Sequence, residues 1–435
     1  MTDTALMTDR YELTMIDAAM RSGTAFRPSV FEVFARRLPG ARRYGVVAGT
    51  GRFLERLAEF RFGDAELAWL REHEVVSADL LDWLADYRFS GDIRGYAEGE
   101  LYFPGSPILV VEGSFAEAVV LETVALSVLN YDSAVANAAT RMTRAAKGRP
   151  LAEMGSRRAQ EEAAIAAARA AYIAGFSATS NLAAGARWGI PTMGTAAHSF
   201  TLLHDSEAEA FQAQIDTLGV GTTLLVDTYD VEQGIRTAVE VAGPQLGGIR
   251  LDSGDLVEVA AEARALLDSL GATGTRITVT SDLDEYAIAG LQASPVDAYG
   301  VGTSVVTGSG APAAGMVYKL VARQDADGEW VGVAKHSENK ASKGGEKIAV
   351  RTLSGGVATE ETVLLSVDGV VPAEAAALGR ALQVPLVTGG EIDARWMGHD
   401  GVEAARERHD ASVAELPSDA HRLARGEPAL PTAFR

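Results

Sequence analysis

Short apolar runs alternate with amphipathic stretches along the chain from residue 176 onward. The runs IPTMGTA, TTLLVDTYD, GGIRLDSGD, RITVTSD, DAYGVGTS and GMVYKLVAR are typical of strands, and most are separated by segments with helical periodicity, such as DLVEVAAEARALLDSLG. Strands that alternate with helices through short loops form parallel sheets with right-handed crossovers. No Gly-x-Gly-x-x-Gly fingerprint stands out, so the pattern favours an irregular or incomplete β/α barrel over an open nucleotide-binding sheet.

The regions on either side of this alternation have different patterns. Mixed strand and helix signals precede residue 120, and two long helical stretches, one of them the Ala-rich RRAQEEAAIAAARAAYIAG, lead into the alternation. Beyond residue 325 the pattern becomes β-rich and dense in lysine, and the last part alternates helices with turns. The sequence therefore predicts a mixed α/β region (1–125), a barrel (126–325) and a β segment with C-terminal helices that packs on both (326–435).

Charge and composition exclude several classes of protein. The 435 residues carry 39 Lys and Arg against 59 Asp and Glu, which gives a net charge of −20 and disfavours binding to nucleic acids or anionic membranes. The chain has no cysteine, so thiol catalysis, disulfides and cysteine-ligated metals are excluded. It shows neither a secretory signal pattern nor eighteen consecutive apolar residues, and we expect a cytoplasmic protein that does not cross a membrane.

Polar side chains follow most of the predicted parallel strands directly. Carboxylates in such places can simply cap the next helix, and this alternative is strong for Asp230 or Asp282 taken alone. Five strand ends that all carry such residues instead indicate one site, because active sites of β/α barrels form at the carboxyl ends of the strands. The residues in question are His198, Asp227, Asp230, Asp252, Asp255, Ser281, Asp282, Asp284, Gly302, Thr303 and Ser304.

The residue types at these strand ends suit a phosphorylated sugar. Small residues with free backbone N–H groups at helix starts bind phosphate, and carboxylates bind ribose hydroxyls or Mg²⁺ with its waters. Positive charge is concentrated at a few places in this acidic chain, which suits a second anion. The residues are Arg157, Arg158, Arg250, Lys319, Lys335, Lys340, Lys343 and Lys347. For the five lysines, a face exposed to solvent is an equally simple interpretation.

Nine motifs in this order resemble the nicotinate phosphoribosyltransferase family. They are TDRYELTM, FEVFARRLP, EMGSRRAQ, GFSATSNLAAG, GTAAHSF, LLVDTYD, IRLDSGDL, GVGT and KHSENKASKGGEK. The resemblance implies an irregular β/α barrel of the nicotinate and quinolinate phosphoribosyltransferase type, with a mixed α/β N-terminal domain. It also implies a homodimer with shared active sites. The implied reaction joins nicotinate to 5-phosphoribosyl 1-diphosphate, with Mg²⁺ and coupled ATP hydrolysis, in NAD salvage.

The same resemblance implies a role for particular residues. His198 is similar to the phosphorylated histidine of the family, Arg157 and Arg250 to residues that line the base site, and Tyr11 to a residue that stacks on the base in the partner's site. Asp252 would contact the ribose, while Asp227 and Asp255 would lie toward the diphosphate and the metal. The other implied substrate contacts are Ser180, Asn181, Ser281, Asp282, Gly302, Thr303, Lys319 and Lys340.

Three rival interpretations stay open at this point. A nicotinamide phosphoribosyltransferase is disfavoured because similar nicotinamide enzymes have an acid where this chain has Thr-Ser-Asn at 179–181. A Mg²⁺-dependent sugar-phosphate lyase would need a lysine or another base inside the barrel, and between residues 148 and 335 lysine occurs only at 319 and 335. A non-catalytic binding protein of the same fold is the third.

Overall fold

The computed structural model describes residues 5–335, 343–366 and 375–435. Contacts within the chain divide it into two compact units. Unit 1 comprises Met1–Asn137 and Ala311–Arg435, and unit 2 comprises Ala138–Gly310, so that unit 2 is inserted in the sequence of unit 1. The sequence predicts three segments, with boundaries at about residues 125 and 325. This division stays a prediction, since a change of sequence pattern need not coincide with a boundary between compact units.

The strands of the described residues are, in chain order, β1 (Pro28–Ala35), β2 (Gly45–Val46), β3 (Asp92–Tyr96), β4 (Leu101–Tyr102), β5 (Leu109–Ser114), β6 (Leu151–Glu153), β7 (Ala178–Thr179), β8 (Thr223–Leu225), β9 (Gly248–Leu251), β10 (Arg276–Val279), β11 (Ala298–Val301), β12 (Met316–Gln324), β13 (Trp330–Gly332), β14 (Glu346–Ser354), β15 (Val357–Ser366), β16 (Arg380–Ala381), β17 (Gln383–Thr388), β18 (Glu391–Ile392) and β19 (Thr432–Phe434).

The α-helices of the same residues are α1 (Arg10–Arg21), α2 (Thr50–Glu59), α3 (Asp64–Glu72), α4 (Ala78–Ala85), α5 (Phe115–Val119), α6 (Glu122–Ala146), α7 (Glu161–Ile173), α8 (Leu182–Trp188), α9 (His198–Leu203), α10 (Glu207–Leu218), α11 (Val231–Ala242), α12 (Leu256–Ser269), α13 (Glu285–Gly290), α14 (Thr303–Val306), α15 (Ala375–Leu378) and α16 (Gly398–Ala414).

Unit 1 is built on antiparallel pairing. Among its described residues one sheet has the order β13-β12-β1-β5-β3-β17-β18, and a smaller one has the order β16-β14-β15-β19. Strand β1, predicted from its run of aromatic and β-branched residues, lies inside the larger sheet and is buried on both faces at Val30, Phe31 and Val33. Phe31 stacks on Tyr318 of the neighbouring β12, with ring centroids 5.0 Å apart, which ties the C-terminal part of the chain to the N-terminal part.

Unit 2 carries the predicted parallel sheet. Its strand order is β7-β6-β11-β10-β9-β8, and the neighbouring strands are parallel throughout. The strands β8 to β11 bury apolar residues such as Leu224, Ile249, Ile277 and Val301, and each is followed by a helix of the predicted α/β alternation. Because β7 and β8 stay at the edges of this sheet, the fold is an irregular, partial β/α barrel, which confirms the predicted class.

Two strand predictions need correction. The run GMVYKLVAR forms β12, but it pairs antiparallel with β1 in unit 1 and is not part of the barrel sheet. The connection after the four-residue α14 is a short loop, 307–315, which cannot supply the crossover that a parallel strand requires. The run IPTMGTA is largely irregular and forms one bridge, Thr192 to Thr179, beside Pro191, which has no backbone N–H to donate to a sheet.

The helical stretch Phe115–Ala146, which includes α5 and α6, is long and apolar enough to cross a membrane by length and composition alone. However, 67% of its most apolar window is buried inside the protein, which is the environment of a core helix. Within unit 1, its residues Val124, Ala125 and Leu129 pack in the main apolar cluster.

The fully buried Glu12 of α1 provides a test of pH-dependent stability. Its carboxylate accepts hydrogen bonds from the backbone N–H (3.1 Å) and hydroxyl (2.6 Å) of Thr123 and from the hydroxyl of Thr8. Burial nevertheless raises the pKa of Glu12 from 4.5 to about 7, against the opposing effect of these hydrogen bonds. The folded state therefore holds this proton more tightly than the unfolded state, and the free energy of unfolding falls as the pH rises from about 4.5 to about 7.

We expect Glu12→Gln to remove this loss of stability. Relative to wild type, the variant should gain stability between pH 5 and pH 8, by about 3 kcal/mol at most, because glutamine stays neutral throughout. Thermal unfolding of both proteins at closely spaced pH values measures the difference, and Glu72→Gln, at an exposed position of α3, is the matched control. A difference between Glu12→Gln and wild type that does not change with pH would contradict the prediction.

Candidate active site

The carboxyl ends of the unit 2 strands surround one cavity of about 390 Å³. Strands β6, β9, β10 and β11 supply most of its wall, and the segment before α9 supplies the rest. Residues that the sequence places on separate strand ends are thus brought together within unit 2. The lining residues are Met154, Arg157, Arg158, Ala197, His198, Arg250, Asp252, Thr280, Ser281, Asp282, Gly300, Gly302 and Thr303.

His198 is the first residue of α9 and lies at the edge of this cavity. Its Nδ1 is 3.2 Å from the hydroxyl of Thr228, and its Nε2 is 3.7 Å from a carboxylate oxygen of Asp252. The side chain is 39% exposed, so it is not a core histidine held by a buried backbone partner. A half-exposed imidazole with one nitrogen beside a hydroxyl and the other beside a carboxylate can act as a nucleophile or carry a proton.

Asp252 and Asp227 organise the loop after β9. The Asp227 carboxylate accepts hydrogen bonds from the Asp252 backbone N–H (2.7 Å) and from the Ser253 hydroxyl (2.8 Å) through the same oxygen, Oδ2. Its other oxygen, Oδ1, is buried and has no hydrogen-bond partner among the described residues. Asp252 in turn accepts a hydrogen bond from the hydroxyl of Thr280 at the end of β10. Asp252 is therefore fixed from two neighbouring strands and presents its second oxygen toward His198.

Two arginines supply the positive charge of the cavity. Arg250 lies in β9 on the same side as Asp252, as the sequence period predicts, and its Nη1 donates to the carbonyl oxygen of Ala196 (3.1 Å). Burial lowers the pKa of Arg250, and the charge of Arg157 lowers it further, whereas Asp252 and Asp227 act in the opposite direction. Its buried Nε has no partner among the described residues. This arrangement suits an anion bound between Arg250 and Arg157.

The ends of β10 and β11 form the opposite wall. Ser281 has a positive φ of 99°, which is uncommon outside glycine and is typical of strained turns at functional sites. Gly302 follows β11 directly, and Thr303 begins α14, where backbone N–H groups lack partners within the helix. With Asp282, these residues line the cavity as the sequence pattern predicts.

Several other predicted site residues do not line the cavity themselves. Asn181 caps α8 by accepting from the Ala184 N–H (3.0 Å) and donates to the Ser156 hydroxyl (3.0 Å), and Ser180 precedes it. Asp255 is exposed and caps α12. Asp230 caps α11, and Asp284, not Asp282, caps α13.

Tyr11 and Lys319 belong to unit 1. The Tyr11 hydroxyl hydrogen-bonds the carboxylate of Glu122, and burial together with this acid raises the pKa of Tyr11. The Nζ of Lys319 is 3.7 Å from the same carboxylate. Lys340 lies outside the described residues. No group of three or more His, Asp or Glu side chains suited to a metal ion occurs in the described part of the chain.

Several lining or supporting residues are absent from the set that the sequence predicts. Thr228 and Thr280, which hold His198 and Asp252, follow apolar runs in the sequence and could have been identified by that position. Glu153 and Thr179 lie at the ends of β6 and β7, which are too short to give a strand signal.

Comparisons with known proteins agree with this fold. The sequence-family model for the N-terminal domain of nicotinate phosphoribosyltransferases matches residues 6–130 of this chain. Nicotinate phosphoribosyltransferase pncB1 of Mycobacterium tuberculosis is 56% identical over 436 residues, which cover 98% of this chain and 94% of that protein. The crystal structure of human nicotinic acid phosphoribosyltransferase matches with a TM-score of 0.77 and 26% identity over 98% of this chain and 97% of that one.

A second solved structure is similar to this chain in fold. The structure of nicotinate-nucleotide pyrophosphorylase from Pyrococcus furiosus matches with a TM-score of 0.75 at 22% identity, covering 94% of this chain and 95% of that one. The fold is thus of the phosphoribosyltransferase type, with a partial β/α barrel. The extent of the identity to the mycobacterial relative shows the family, and the chain belongs to the nicotinate phosphoribosyltransferases.

Proposed function

We propose that this protein joins nicotinate to 5-phosphoribosyl 1-diphosphate, forming nicotinate mononucleotide and diphosphate for NAD synthesis. The observation that carries the proposal is the cavity in unit 2, which Arg157, Arg250 and Asp252 line together. The chain also belongs to a family that is named for nicotinate. Two guanidinium groups suit the carboxylate of nicotinate, and a carboxylate beside them suits the positive charge that develops on a ribosyl group.

Each wall of the cavity has a separate part in the proposed reaction. Arg250 and Arg157 hold the carboxylate of nicotinate, so that the unprotonated ring nitrogen faces the anomeric carbon and no general base is needed. Asp252, fixed by Asp227 and Thr280, stabilises the oxocarbenium-like transition state. The turns after β10 and β11 bind the 5-phosphate through Ser281, Asp282, Gly302 and Thr303.

We propose Mg²⁺ as the metal of the reaction. The buried Oδ1 of Asp227, which has no partner among the described residues, fits a cation or one of its waters, and the exposed Asp255 offers a second carboxylate. A bound Mg²⁺ would neutralise negative charge on the leaving diphosphate. Lys319 and Lys340 are proposed contacts of the same diphosphate.

We propose that the reaction is coupled to ATP through His198. The unprotonated imidazole nitrogen attacks the γ-phosphorus of ATP, the bond to the bridging oxygen breaks, and ADP leaves with that electron pair. Water later cleaves the phosphorus–nitrogen bond and releases phosphate, and the imidazole is regenerated. A phosphorylated His198 would place about two negative charges beside Asp252, because the two side chains are 3.7 Å apart in the unmodified protein. Such charge can shift the position of the loops that bind substrate.

Product analysis tests the proposed activity. Purified protein is incubated with 5-phosphoribosyl 1-diphosphate and Mg²⁺ and with nicotinate or nicotinamide, each with and without ATP. The proposal expects nicotinate mononucleotide and a faster reaction when ATP is present. Formation of nicotinamide mononucleotide as the main product would instead favour the related amide-specific activity, and the absence of both nucleotides would refute the proposal.

We further propose a homodimer whose active sites combine residues of both subunits. Large apolar side chains are exposed on the unit 2 elements around the cavity, including Leu182 (75%), Leu203 (77%) and Tyr229 (65%). Large apolar side chains that are exposed in this way are common where proteins make contact. On unit 1, Tyr11 is exposed on α1 as well, in the motif whose resemblance suggests contact with the partner's nicotinate.

Complementation between inactive variants tests the shared site. Tyr11→Ala and Arg250→Ala should each be nearly inactive, and mixing them under conditions of subunit exchange should restore activity. In such heterodimers one of the two sites receives both intact residues, so up to about a quarter of wild-type activity should return. Arg250→Ala mixed with Arg157→Ala is the control, because residues of one subunit's site cannot complement in this way. Heterodimers without recovered activity would contradict the shared site.

A further inference from the structure

Glu153 is a fully buried carboxylate that the proposed chemistry does not use. It is the last residue of β6, has 0% exposure, and does not line the cavity. One oxygen accepts from the backbone N–H of Gly155, and the other accepts from the hydroxyl of Thr179 (2.6 Å). Among the described residues no cation pairs with Glu153. Burying a carboxylate in this way is costly, so a glutamate at this position points to a role beyond packing.

Through Thr179 this carboxylate controls the end of β7. Glu153 and Thr179 are direct neighbours in the parallel pair, and the Ser180 N–H donates to the Glu153 carbonyl (2.8 Å). The same Thr179 hydroxyl that donates to Glu153 accepts from the Asn181 N–H (3.0 Å). The start of α8 at Asn181 is therefore fixed by a chain of two hydrogen bonds that ends on Glu153.

Through Gly155 the carboxylate controls the exit of β6. A Cβ atom at Gly155 would lie 2.2 Å from Val306 and 2.9 Å from the Gly302 carbonyl, so the backbone passes close to the end of β11 at this point. The Arg158 N–H donates to the Gly155 carbonyl (2.8 Å) and closes the single helical turn Ser156–Arg158. The direction in which Arg157 and Arg158 leave the backbone depends on this turn.

We propose that Glu153 is a positioning residue for the base subsite: it sets the Arg157 turn directly through Gly155, and through Thr179 it sets Asn181, whose side chain donates to the Ser156 hydroxyl of the same turn. The inference rests on the proposed function, since it assigns nicotinate to this subsite. A carboxylate is needed because it offers two acceptor oxygens. Glutamine offers one acceptor and one donor, so it can satisfy Gly155 but leaves the Thr179 hydroxyl without an acceptor.

Steady-state kinetics of four variants test the inference. Glu153→Gln and Thr179→Val should each raise the KM for nicotinate about tenfold or more and leave the KM for 5-phosphoribosyl 1-diphosphate within about twofold, since a coupled buried hydrogen bond is worth a factor of this order. Thr179→Ser keeps the hydroxyl and should behave as wild type. The double variant should have a KM for nicotinate no higher than the higher of the two single-variant values, because both changes break the same chain of hydrogen bonds.

Glu285→Gln provides the matched control for loss of stability. Glu285 is another buried glutamate of unit 2, it pairs with Arg141 (2.9 Å), and it does not line the cavity. This variant should have a lower Tm with an unchanged KM for nicotinate. If Glu153→Gln or Thr179→Val lowers only the Tm, or raises both KM values equally, the positioning role is refuted. If Glu153→Gln does not fold, the nearly isosteric Thr179→Val still decides. A wild-type protein that makes no nicotinate mononucleotide refutes the proposed function instead.

Discussion

Replacement of Arg250 by alanine should lower kcat/KM for nicotinate by about 10²–10³-fold and leave the low activity with nicotinamide nearly unchanged. Wild type should prefer nicotinate by at least ~10²-fold, because only the carboxylate forms a charge-assisted pair with a half-buried guanidinium. Arg250 is desolvated and close enough to Arg157 for the two charges to affect each other, so an anion bound between them relieves their repulsion. A neutral amide would not relieve this repulsion.

The structure supplies controls for this prediction. Arg236, which forms an exposed pair with Glu232 on α11, is expected to tolerate alanine without effect. Arg250 also holds the carbonyl of Ala196 (3.1 Å), so its loss could disturb the segment that leads to His198. If that disturbance dominates, the rates with both bases fall together. Equal kcat/KM values of wild type for the two bases would contradict the assigned role of Arg250.

Asn181 gives a complementary change in the same subsite. Aspartate at this position can still cap α8, but it loses the donor that now reaches the Ser156 hydroxyl. It also places a negative charge beside Ser156, the first residue of the turn that carries Arg157. Asn181→Asp should therefore lower nicotinate use while the Tm changes little.

The parts of this site that the sequence predicts are those that follow long apolar strands. Strands β8 to β11 have clear apolar runs, and the polar residues after them, from Asp227 to Thr303, can be placed at one edge of the sheet from the sequence alone. The class of fold follows from the same alternation. Arg250 and Asp252, two residues apart, both line the cavity, which agrees with the two-residue period of an extended chain.

The parts that cannot be predicted depend on short strands and on distant partners. Strands β6 and β7 are three and two residues long, so Glu153 and Thr179 give no periodic signal and nothing in the sequence indicates their hydrogen bond. The pairing of His198 with Thr228, 30 residues away, requires the order of the strands as well as their positions. Asp255 shows a different limit of prediction from sequence. An acid that follows a strand can either bind a ligand or cap the next helix, and the sequence does not distinguish the two. In the structure, Asp255 caps α12.

His198→Ala should abolish ATP hydrolysis and the incorporation of acid-labile phosphate, and it should retain a slow transfer that does not depend on ATP. The residues proposed to stabilise the oxocarbenium-like state, with Asp252 foremost, are not removed by this change. The imidazole is 39% exposed at the start of α9, so its loss leaves no buried cavity and should change the Tm little. A histidine that served only to support the fold would instead lose stability and both rates together.

Mass analysis of wild-type protein incubated with ATP and Mg²⁺, and kept alkaline to preserve phosphohistidine, measures this directly. His204, six residues further along and directly after α9, provides the control. Its Nδ1 contacts the Phe200 carbonyl (2.8 Å) and its ring packs on that of Phe200, so His204→Ala should keep both phosphate incorporation and coupled turnover. Thr228→Val should slow phosphorylation without abolishing it, because the nucleophile stays while its hydroxyl partner is lost. Phosphate mapped to a residue other than His198, or ATP turnover that persists in His198→Ala, would remove His198 from this role and leave the cavity as a site of glycosyl transfer alone.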